Sequence, residues 1–228
     1  MTAATEAAPA GDSNGPQRGA FILFEGVDRC GKTTQCERLV KRLKEDGHDA
    51  VHMRFPDRTT AIGQMINAYL QSTAEMDDQC IHLLFSANRW EALSTIERRL
   101  AAGLTIVCDR YAYSGVAFSA AKPGLTVDWC KAPDKGLPAP DVVIYLDLAV
   151  EAAMERGQFG EERYEKADFQ RRVRDNFMAL READGERWAV VDAAASRDEV
   201  AAAVHAAAAK AIADVKEEGR QIQKLWMD

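Results

Sequence analysis

The residues best suited to chemistry lie in one short stretch, GVDRCGKTT, which begins at Gly26. Its spacing matches G-x-x-x-x-G-K-[ST], in which glycines allow several backbone N–H groups to point at one phosphate. Lys32 is placed to reach the outer phosphates of a nucleotide, and Thr33 offers a hydroxyl to Mg²⁺. We therefore expect a phosphate-binding loop made of Gly26, Val27, Asp28, Arg29, Cys30, Gly31, Lys32, Thr33 and Thr34.

An aspartate and several arginines lie at or near the ends of other apolar runs. Asp109 ends one such run, and a carboxylate near Thr33 would organise Mg²⁺ and its waters, although a helix cap would also explain it. A lone arginine is usually a solvated surface residue. A group of arginines at one edge of a sheet would instead offset the negative charge of two nucleotides that meet phosphate to phosphate. The candidates are Arg29, Arg54, Arg58, Arg89, Arg110, Arg156 and Arg163.

The elements that must position these residues alternate along the chain. Apolar strands are predicted at 20–24, 50–55, 105–110, 141–148 and 188–193, and helices follow the phosphate loop and occupy about 60–72, 77–102 and 196–218. Strands alternating with helices indicate an α/β fold with a five-stranded parallel sheet and helices on both faces. Ligands of such sheets bind beyond the carboxyl ends of the strands, where the chemical residues cluster.

The chain is expected to form one domain over 19–228, preceded by a disordered tail at 1–18. Residues 122–140 are rich in proline and glycine and are predicted to be a surface excursion. The stretch RGQFGEERYE contains two glycines among charges, which is typical of a mobile lid, here at about 156–166.

Composition excludes several classes of protein. The 228 residues carry 36 acidic and 29 basic side chains, a formal charge of −7, which disfavours nucleic-acid and anionic-membrane partners. No apolar run is long enough to cross a bilayer. The 5 cysteines are scattered without a C-x-x-C pair, which argues against a disulfide framework or a zinc site and predicts a cytoplasmic, reducing location.

Five stretches together resemble a known family. EGVDRCGKTTQ, RFPDRTT, HLLFSANRWE, DRYAYSGVAFS and FGEERYE, in this order, are similar to thymidylate kinases of the eukaryotic type. The resemblance extends from about residue 19 to the end of the chain and is densest before residue 170. It implies a P-loop kinase that uses ATP and Mg²⁺ to phosphorylate dTMP, and it implies a homodimer, for which the apolar face of the 77–102 helix is a candidate interface.

The resemblance also assigns roles to residues. Asp28 is expected near the 3′-hydroxyl of dTMP, and Arg29 at the transferred phosphoryl group with Lys32 and the lid arginines Arg156 and Arg163. The remaining dTMP-binding positions are Arg58 and Arg110 for the phosphate, Phe85 and Arg89 for thymine, and Phe55, Pro56, Tyr111, Ser114, Gly115, Phe118, Tyr164 and Gln170 around them. Thr33 and Asp109 are the expected metal-site residues.

Other interpretations remain open for some residues. Phe85, Tyr111 and Phe118 would each serve equally as core packing, and Gln170 as a surface glutamine. Cys30 departs from the small residues usual at its position, and an accessible thiol is expected there.

Three other functions also remain open. A deoxynucleoside kinase would need a carboxylate base for a 5′-hydroxyl soon after the first strand, where this chain has GVDRCG. A non-catalytic nucleotide-binding switch is disfavoured by the surplus arginines and by the lack of an N-K-x-D guanine motif, and a guanylate or adenylate kinase by the five family stretches.

Overall fold

The computed structural model describes residues 17–156 and 162–227. Five strands form one sheet in the described part of the chain, namely β1 (Phe21–Glu25), β2 (Ala50–Arg54), β3 (Thr105–Asp109), β4 (Val142–Asp147) and β5 (Trp188–Asp192). Their order is β2-β3-β1-β4-β5, and every neighbouring pair is parallel. The predicted fold class is confirmed, and each strand lies within two residues of its predicted bounds.

Nine α-helices connect these strands within the described residues. They are α1 (Lys32–Glu45), α2 (Ala61–Leu70), α3 (Asp78–Trp90), α4 (Leu93–Ala101), α5 (Ala112–Ala120), α6 (Val127–Lys131), α7 (Val150–Glu155), α8 (Ala167–Asp184) and α9 (Arg197–Glu218). None of them is both long and apolar enough to span a bilayer.

Strand β1 shows why helices cover both faces of the sheet. Ile22 and Phe24 belong to the cluster formed with α1 and α9, whereas Phe21 and Leu23 belong to the cluster formed with α4, α5 and α8. All four side chains are fully buried. Alternate side chains of a strand point to opposite faces, so a continuous apolar run is what a sheet covered on both sides requires.

The predicted helix over 77–102 is wrong as a single element, because α3 ends at Trp90 and α4 begins at Leu93. At the break the Ala92 N–H donates to the Arg89 carbonyl at 3.1 Å, a tighter turn than an α-helix makes. The Glu91 carboxylate accepts from Asn88 at 2.6 Å and from Thr60 at 2.7 Å. The break between α3 and α4 therefore coincides with a contact to Thr60 at the start of α2. No proline or glycine marks this break in the sequence.

The predicted surface excursion over 122–140 is also wrong. The segment contains α6 and a short 3₁₀ turn, and Cys130, Asp134 and Leu137 are fully buried in it. The chain end packs against it, since the Leu225 N–H donates to the Leu137 carbonyl at 2.8 Å. Only Gln17 and Arg18 of the predicted tail are described, and Arg18 pairs with Asp141 at 2.6 Å.

Candidate active site

The loop between β1 and α1 has the backbone that its sequence requires. Gly26 has a φ of 147°, and an added Cβ there would lie 2.8 Å from both the Cys30 Sγ and the Leu146 carbonyl oxygen. Glycine is therefore needed at this position for conformation and for space. Lys32 is buried, and its Nζ donates to the carbonyls of Gly26 at 3.2 Å and Val27 at 2.8 Å. Its ammonium group thus lies within the loop.

Thr33 and Asp109 meet where α1 begins beside the end of β3. The Thr33 hydroxyl donates to Asp109 Oδ2 at 2.6 Å. Asp109 is 1% exposed, and its other oxygen, Oδ1, is buried without a hydrogen-bond partner among the described residues. A hydroxyl beside an unsatisfied carboxylate oxygen is a donor set that suits Mg²⁺ and its waters, so the residues fit the metal expected here.

Asp28 lies at the centre of a second set of contacts. Its carboxylate pairs with Arg110, whose Nη1 donates to Ser114 Oγ at 3.1 Å. Gln170 donates to Asp28 Oδ2 at 2.6 Å and accepts from the Asp28 N–H at 2.9 Å. Gln170 is buried on α8, so it is not the surface glutamine that remained an alternative. Burial alone would lower the pKa of Arg110, but Asp28, Asp109 and Glu25 raise it, which keeps Arg110 charged.

Glu25 is a site residue that sequence reasoning missed. It is fully buried at the end of β1, and its carboxylate accepts from the backbone N–H groups of Tyr111 at 3.0 Å and Ser114 at 2.9 Å. Burial raises its pKa, although bonds from Ser114 and the charge of Arg110 oppose that shift. Glu25 holds the first turn of α5 and hence the backbone beside Arg110. The sequence could have indicated Glu25, because it is an acidic residue at the end of an apolar strand.

The arginines predicted to be catalytic do not all face the loop. Arg29 donates to the Glu165 carboxylate at 2.8 Å beside the loop. Arg156 donates to the Cys30 carbonyl at 3.0 Å and to the Ala193 carbonyl at 2.8 Å. Both therefore line the phosphate-loop cleft.

Arg163 is different, and its predicted catalytic position is not supported. Its guanidinium pairs with Glu75 at 2.6 Å and lies 4.1 Å from the centre of the Tyr69 ring. These contacts direct it to the connection between α2 and α3. Five residues of the predicted lid, 157–161, lie outside the described residues.

The phosphate loop opens into a cleft of about 800 Å³. It is lined by most of the predicted charged residues, namely Asp28, Arg29, Lys32, Arg54, Arg58, Asp109, Arg110 and Arg156. Arg58 is held there by Glu162 at 2.9 Å and Asn67 at 2.8 Å. The cleft extends past β5 to residues that sequence reasoning missed, Ala193, Ala195, Arg197 and Val200. The sequence could have indicated these residues, because they lie at or beyond the carboxyl end of a predicted strand.

A second, more apolar cavity adjoins the cleft. It is lined by Asp28, Pro56, Leu70, Phe85, Arg110, Ser114, Gly115, Phe118, Ser119, Glu162 and Tyr164. Asp28, Arg110 and Glu162 line both spaces, so a molecule in the cavity can place an anionic end toward the phosphate loop. Phe85, Phe118 and Tyr164 are thus wall residues.

Arg89 lies directly behind the wall of this cavity. It is 2% exposed, and its Nε and Nη2 donate to Asp134 at 3.1 Å and 2.6 Å. A Cβ on Gly115 would lie 2.6 Å from Arg89 Nη2 and 3.0 Å from Nη1, so the absence of a side chain brings the guanidinium up to the wall. A fixed donor at that place can recognise a carbonyl oxygen.

Two predicted binding residues lie in the core instead. Tyr111 is 1% exposed and packs against Phe21 and Phe55, with ring centres 5.3 Å and 5.5 Å away. Phe55 is 3% exposed in the same cluster. Neither lines the cleft or the cavity. Tyr111 is therefore a core-packing residue, which was the other interpretation left open for it. The preceding residue, Arg110, has a left-handed backbone, and the next side chain turns inward.

The expected accessible thiol at Cys30 is also not observed. Cys30 is 2% exposed, and its Sγ lies 3.5 Å from Lys32 Nζ within the loop. All five cysteines are free.

Comparison with known proteins gives a consistent result. The family model described as thymidylate kinase matches residues 24–204. A thymidylate kinase of Danio rerio is 50% identical over 81% of this chain and 87% of its own length, and that of Homo sapiens is 45% identical over 92% and 98%. The solved structure of Candida albicans thymidylate kinase superposes with a TM-score of 0.79 at 34% identity, covering 91% of this chain and 98% of that one.

Proposed function

The chain belongs to the thymidylate kinase family, and from that premise we propose how its residues transfer the γ-phosphoryl group of ATP to dTMP. It is an ATP-dependent phosphotransferase that converts dTMP to dTDP and releases ADP. The observation that carries the assignment of sites is that the phosphate-loop cleft and the apolar cavity share Asp28 and Arg110. ATP occupies the cleft, and dTMP occupies the cavity with its phosphate at the shared wall.

The donor side is built to hold phosphate oxygens. The loop N–H groups and the start of α1 attract the anion, and Lys32 moves from the Gly26 and Val27 carbonyls to the phosphates. Thr33 and Asp109 are the residues that would hold and orient Mg²⁺, which when bound would supply positive charge beside the phosphates of ATP. Ala195, Arg197 and Val200 lie beside the part of the cleft that accepts the nucleoside of ATP.

The acceptor side needs no general base. The nucleophile is a phosphate oxygen of dTMP, and a monoester phosphate with a second pKa of about 6 is mostly dianionic at neutral pH. Arg58 and Arg110 hold this phosphate in line with the donor, while Asp28, tied to Arg110 and Gln170, orients the sugar. Because Asp28 is already engaged by a cation, it is poorly placed to deprotonate a 5′-hydroxyl, which disfavours a deoxynucleoside kinase.

Charge stabilisation accounts for the catalysis. Two anionic groups must approach one another, and the transferred phosphoryl group carries charge on its three outer oxygens. Arg29 and Lys32 approach these oxygens from the loop itself, and Arg156, at the end of α7, links the Cys30 carbonyl of the loop to the Ala193 carbonyl just after β5. Preorganised donors of this kind lower the barrier because they do not have to reorient during the reaction.

The base is selected by the wall around Phe85 and Gly115. Phe85 stacks on thymine, and Arg89 donates through the gap left by Gly115 to the C4 carbonyl. Asp134 keeps the guanidinium in place. Pro56, Ser114, Phe118 and Tyr164 enclose the rest of the nucleoside.

We further propose that the kinase is a single domain over 19–228 that works as a homodimer in the cytoplasm. The dimer proposal is supported by Leu83 on α3, whose large apolar side chain is 48% exposed.

The decisive experiment is a coupled ADP-release assay with dTMP, dUMP, dCMP, dGMP, AMP and thymidine as acceptors. The proposal expects dTMP to give the highest kcat/KM and thymidine to give no ADP above background. Faster turnover of thymidine than of dTMP would instead identify a deoxynucleoside kinase, and preference for a purine monophosphate would contradict the base site.

A further inference from the structure

Three potential metal ligands meet between α1 and the β2–β3 pair, behind the phosphate loop. They are the Cys36 thiol, a ring nitrogen of His52 and a carboxylate oxygen of Asp109, and these atoms lie within 4.8 Å of one another. His52 and Asp109 are on neighbouring parallel strands, where His52 pairs with Val107 two residues before Asp109. Alternate residues share a face, so both side chains point toward α1, which carries Cys36.

A second observation indicates that this cluster lacks a partner. His52 Nε2 and Asp109 Oδ1 are both buried without a hydrogen-bond partner among the described residues. Buried polar atoms are nearly always paired. The Asp109 oxygen is the one assigned above to Mg²⁺, so the unpaired His52 nitrogen is the atom that still needs an explanation. Asp109 itself is 1% exposed, and Cys36 is fully buried. These are not solvated surface groups that happen to lie close together.

We propose that Cys36, His52 and Asp109 form a binding site for Zn²⁺. The ion would replace the thiol proton, which passes to water, and form one bond each to sulfur, nitrogen and oxygen. Tetrahedral zinc uses bonds of about 2.3 Å to sulfur and about 2.0–2.1 Å to nitrogen, so the three atoms need only a small inward movement. Sulfur and imidazole ligands select zinc over Mg²⁺ or Ca²⁺, which prefer oxygen.

The cleft reaches one of the three proposed ligands, Asp109. Asp109 and Thr33 line the cleft, so a cation can reach the Asp109 carboxylate from the side on which ATP binds. A water molecule can complete the tetrahedron on that side. The fourth position does not require a further protein ligand.

Zinc at this site would inhibit the kinase, and this part rests on the proposed function. Asp109 accepts the Thr33 hydroxyl at 2.6 Å and is the carboxylate assigned to Mg²⁺. A zinc ion bonded to Asp109 would draw that carboxylate toward Cys36 and His52. The site would then couple the concentration of a thiophilic cation to nucleotide phosphorylation.

Metal binding is measured first without nucleotide, so that the result does not depend on the enzyme's activity. Metal-free protein is titrated with Co²⁺ as a spectroscopic probe and then with Zn²⁺ against a chromogenic chelator. The proposal expects one Zn²⁺ per chain and a near-ultraviolet sulfur-to-cobalt charge-transfer band. Cys36→Ser should abolish the band, and both Cys36→Ser and His52→Gln should weaken zinc binding by at least about tenfold.

Cys80→Ser is the matched control, because Cys80 is an exposed thiol on α3 outside the cluster. It should bind zinc like the wild-type protein. Thermal melting of each metal-free variant verifies folding, and His52→Gln provides a second test if Cys36→Ser does not fold. Failure of the wild-type protein to bind stoichiometric Zn²⁺, or loss of binding in Cys80→Ser instead, would overturn the site.

Inhibition is then measured with MgATP and dTMP in excess. Zn²⁺ should inhibit the wild-type enzyme and Cys80→Ser, and it should not inhibit folded Cys36→Ser at the same concentration. Zinc binding through Cys36 without loss of activity would refute the inhibitory role.

Discussion

Arg29 is held in an unusual backbone conformation in the phosphate loop. Its φ is 62°, in the left-handed region that favours glycine, and its side chain donates to Glu165. A guanidinium in this loop could reach the γ-phosphoryl group without a partner protein, and we propose that it acts as an arginine finger supplied by the same chain. Because glycine tolerates this φ, Arg29→Gly removes the guanidinium without adding backbone strain.

We expect Arg29→Gly to lower kcat by about 10³- to 10⁵-fold, as loss of an arginine finger does. The KM for dTMP should change little, since the interaction belongs to the transition state. Steady-state kinetics with both substrates varied measures this. Arg163→Ala is the matched control and should retain most of the activity, because Arg163 pairs with Glu75 away from the cleft. The reverse ranking of the two variants would place the catalytic arginine in the lid.

Arg89 leads to a prediction about the choice of base. Its guanidinium is fixed as a donor by Asp134, and a donor suits the C4 carbonyl that thymine and uracil share. Cytosine presents an amino group there and would leave a buried donor unpaired, whereas a lone methyl group is worth only about 1–3 kcal/mol. We expect dUMP to be a measurable but poorer substrate than dTMP, and dCMP to be far poorer than both. Equal kcat/KM values for dCMP and dTMP would disprove this role of Arg89.

The residue assignments show what one sequence can and cannot specify. The phosphate loop and Arg58 were predictable because they follow strands whose ends meet at one edge. The partner of Arg89 was not, because Asp134 is far away in sequence and in a segment expected at the surface. Tyr111 was misplaced because sequence does not indicate that Arg110 has a left-handed backbone, which directs the next side chain into the core.

At the scale of elements, α5 depends on a glycine for its approach to α3. A Cβ on Gly115 would lie 2.6 Å from Arg89 Nη2. A free arginine could move aside cheaply, but this one is buried and bonded twice to Asp134. The added methyl group must therefore displace the guanidinium or separate the helices.

We expect Gly115→Ala to raise the KM for dTMP by about tenfold to a hundredfold, the cost of misplacing a substrate-binding group by about 1 Å. The KM for ATP should remain near the wild-type value, because Gly115 does not line the phosphate-loop cleft. Kinetics with each substrate varied in turn provides both values. A similar rise in both KM values would indicate general damage to the fold instead.

His82 joins three helices and makes their packing sensitive to pH. Its ring contacts Ser119 of α5 at 2.7 Å and the Cys130 carbonyl of α6 at 3.0 Å. Burial lowers its pKa, and the charges of Arg89 and Lys122 act in the same direction, against Asp134 and the Cys130 carbonyl. The folded protein therefore binds a proton at His82 less readily than the unfolded chain, in which histidine protonates near pH 6.5.

Below about pH 6.5 the unfolded state thus binds more protons than the folded state. The contribution of His82 to the free energy of unfolding is therefore complete above that pH and is lost as the pH falls. We expect the urea midpoint of the wild-type protein to fall between pH 7.5 and 5.5 more than that of His82→Gln. One proton contributes at most about 1.4 kcal/mol per pH unit. Comparison with His82→Gln removes the effect of other groups, such as Glu25. Parallel pH profiles for the two proteins would exclude His82 as the cause.

Helices and strands were predicted correctly where the pattern of apolar residues within a short stretch of sequence determines them. The apolar runs and the alanine-rich α9 lie close to their predicted positions. The break between α3 and α4 was missed because it coincides with contacts from Glu91 and Trp90 to other parts of the chain, at Thr60 and Pro133. The burial of 122–140 was missed because proline and glycine mark turns but do not indicate what packs over them.

At the scale of the whole molecule, the sheet brings the two proposed substrate sites together. Three parallel strands, β2, β3 and β1, end at the same edge, where Arg54 and Asp109 line one cleft and Glu25 is buried behind it. Helices α3 and α5 form the wall of the neighbouring cavity through Phe85 and Gly115. Helix α3 thus contributes both to this wall, through Phe85, and to the protein surface, through Leu83.

The proposed homodimer gives a prediction about that surface. Leu83 on α3 is 48% exposed, and burial of a leucine at an interface stabilises association by about 1.5–3 kcal/mol. We expect light scattering to give a mass near twice the 25.1 kDa of one chain, and Leu83→Asp to shift the protein toward monomer. Val190→Asp is the matched control, because Val190 is 41% exposed on edge strand β5 and should leave the mass unchanged. A monomeric wild-type protein, or dissociation by Val190→Asp alone, would show that α3 does not form the interface.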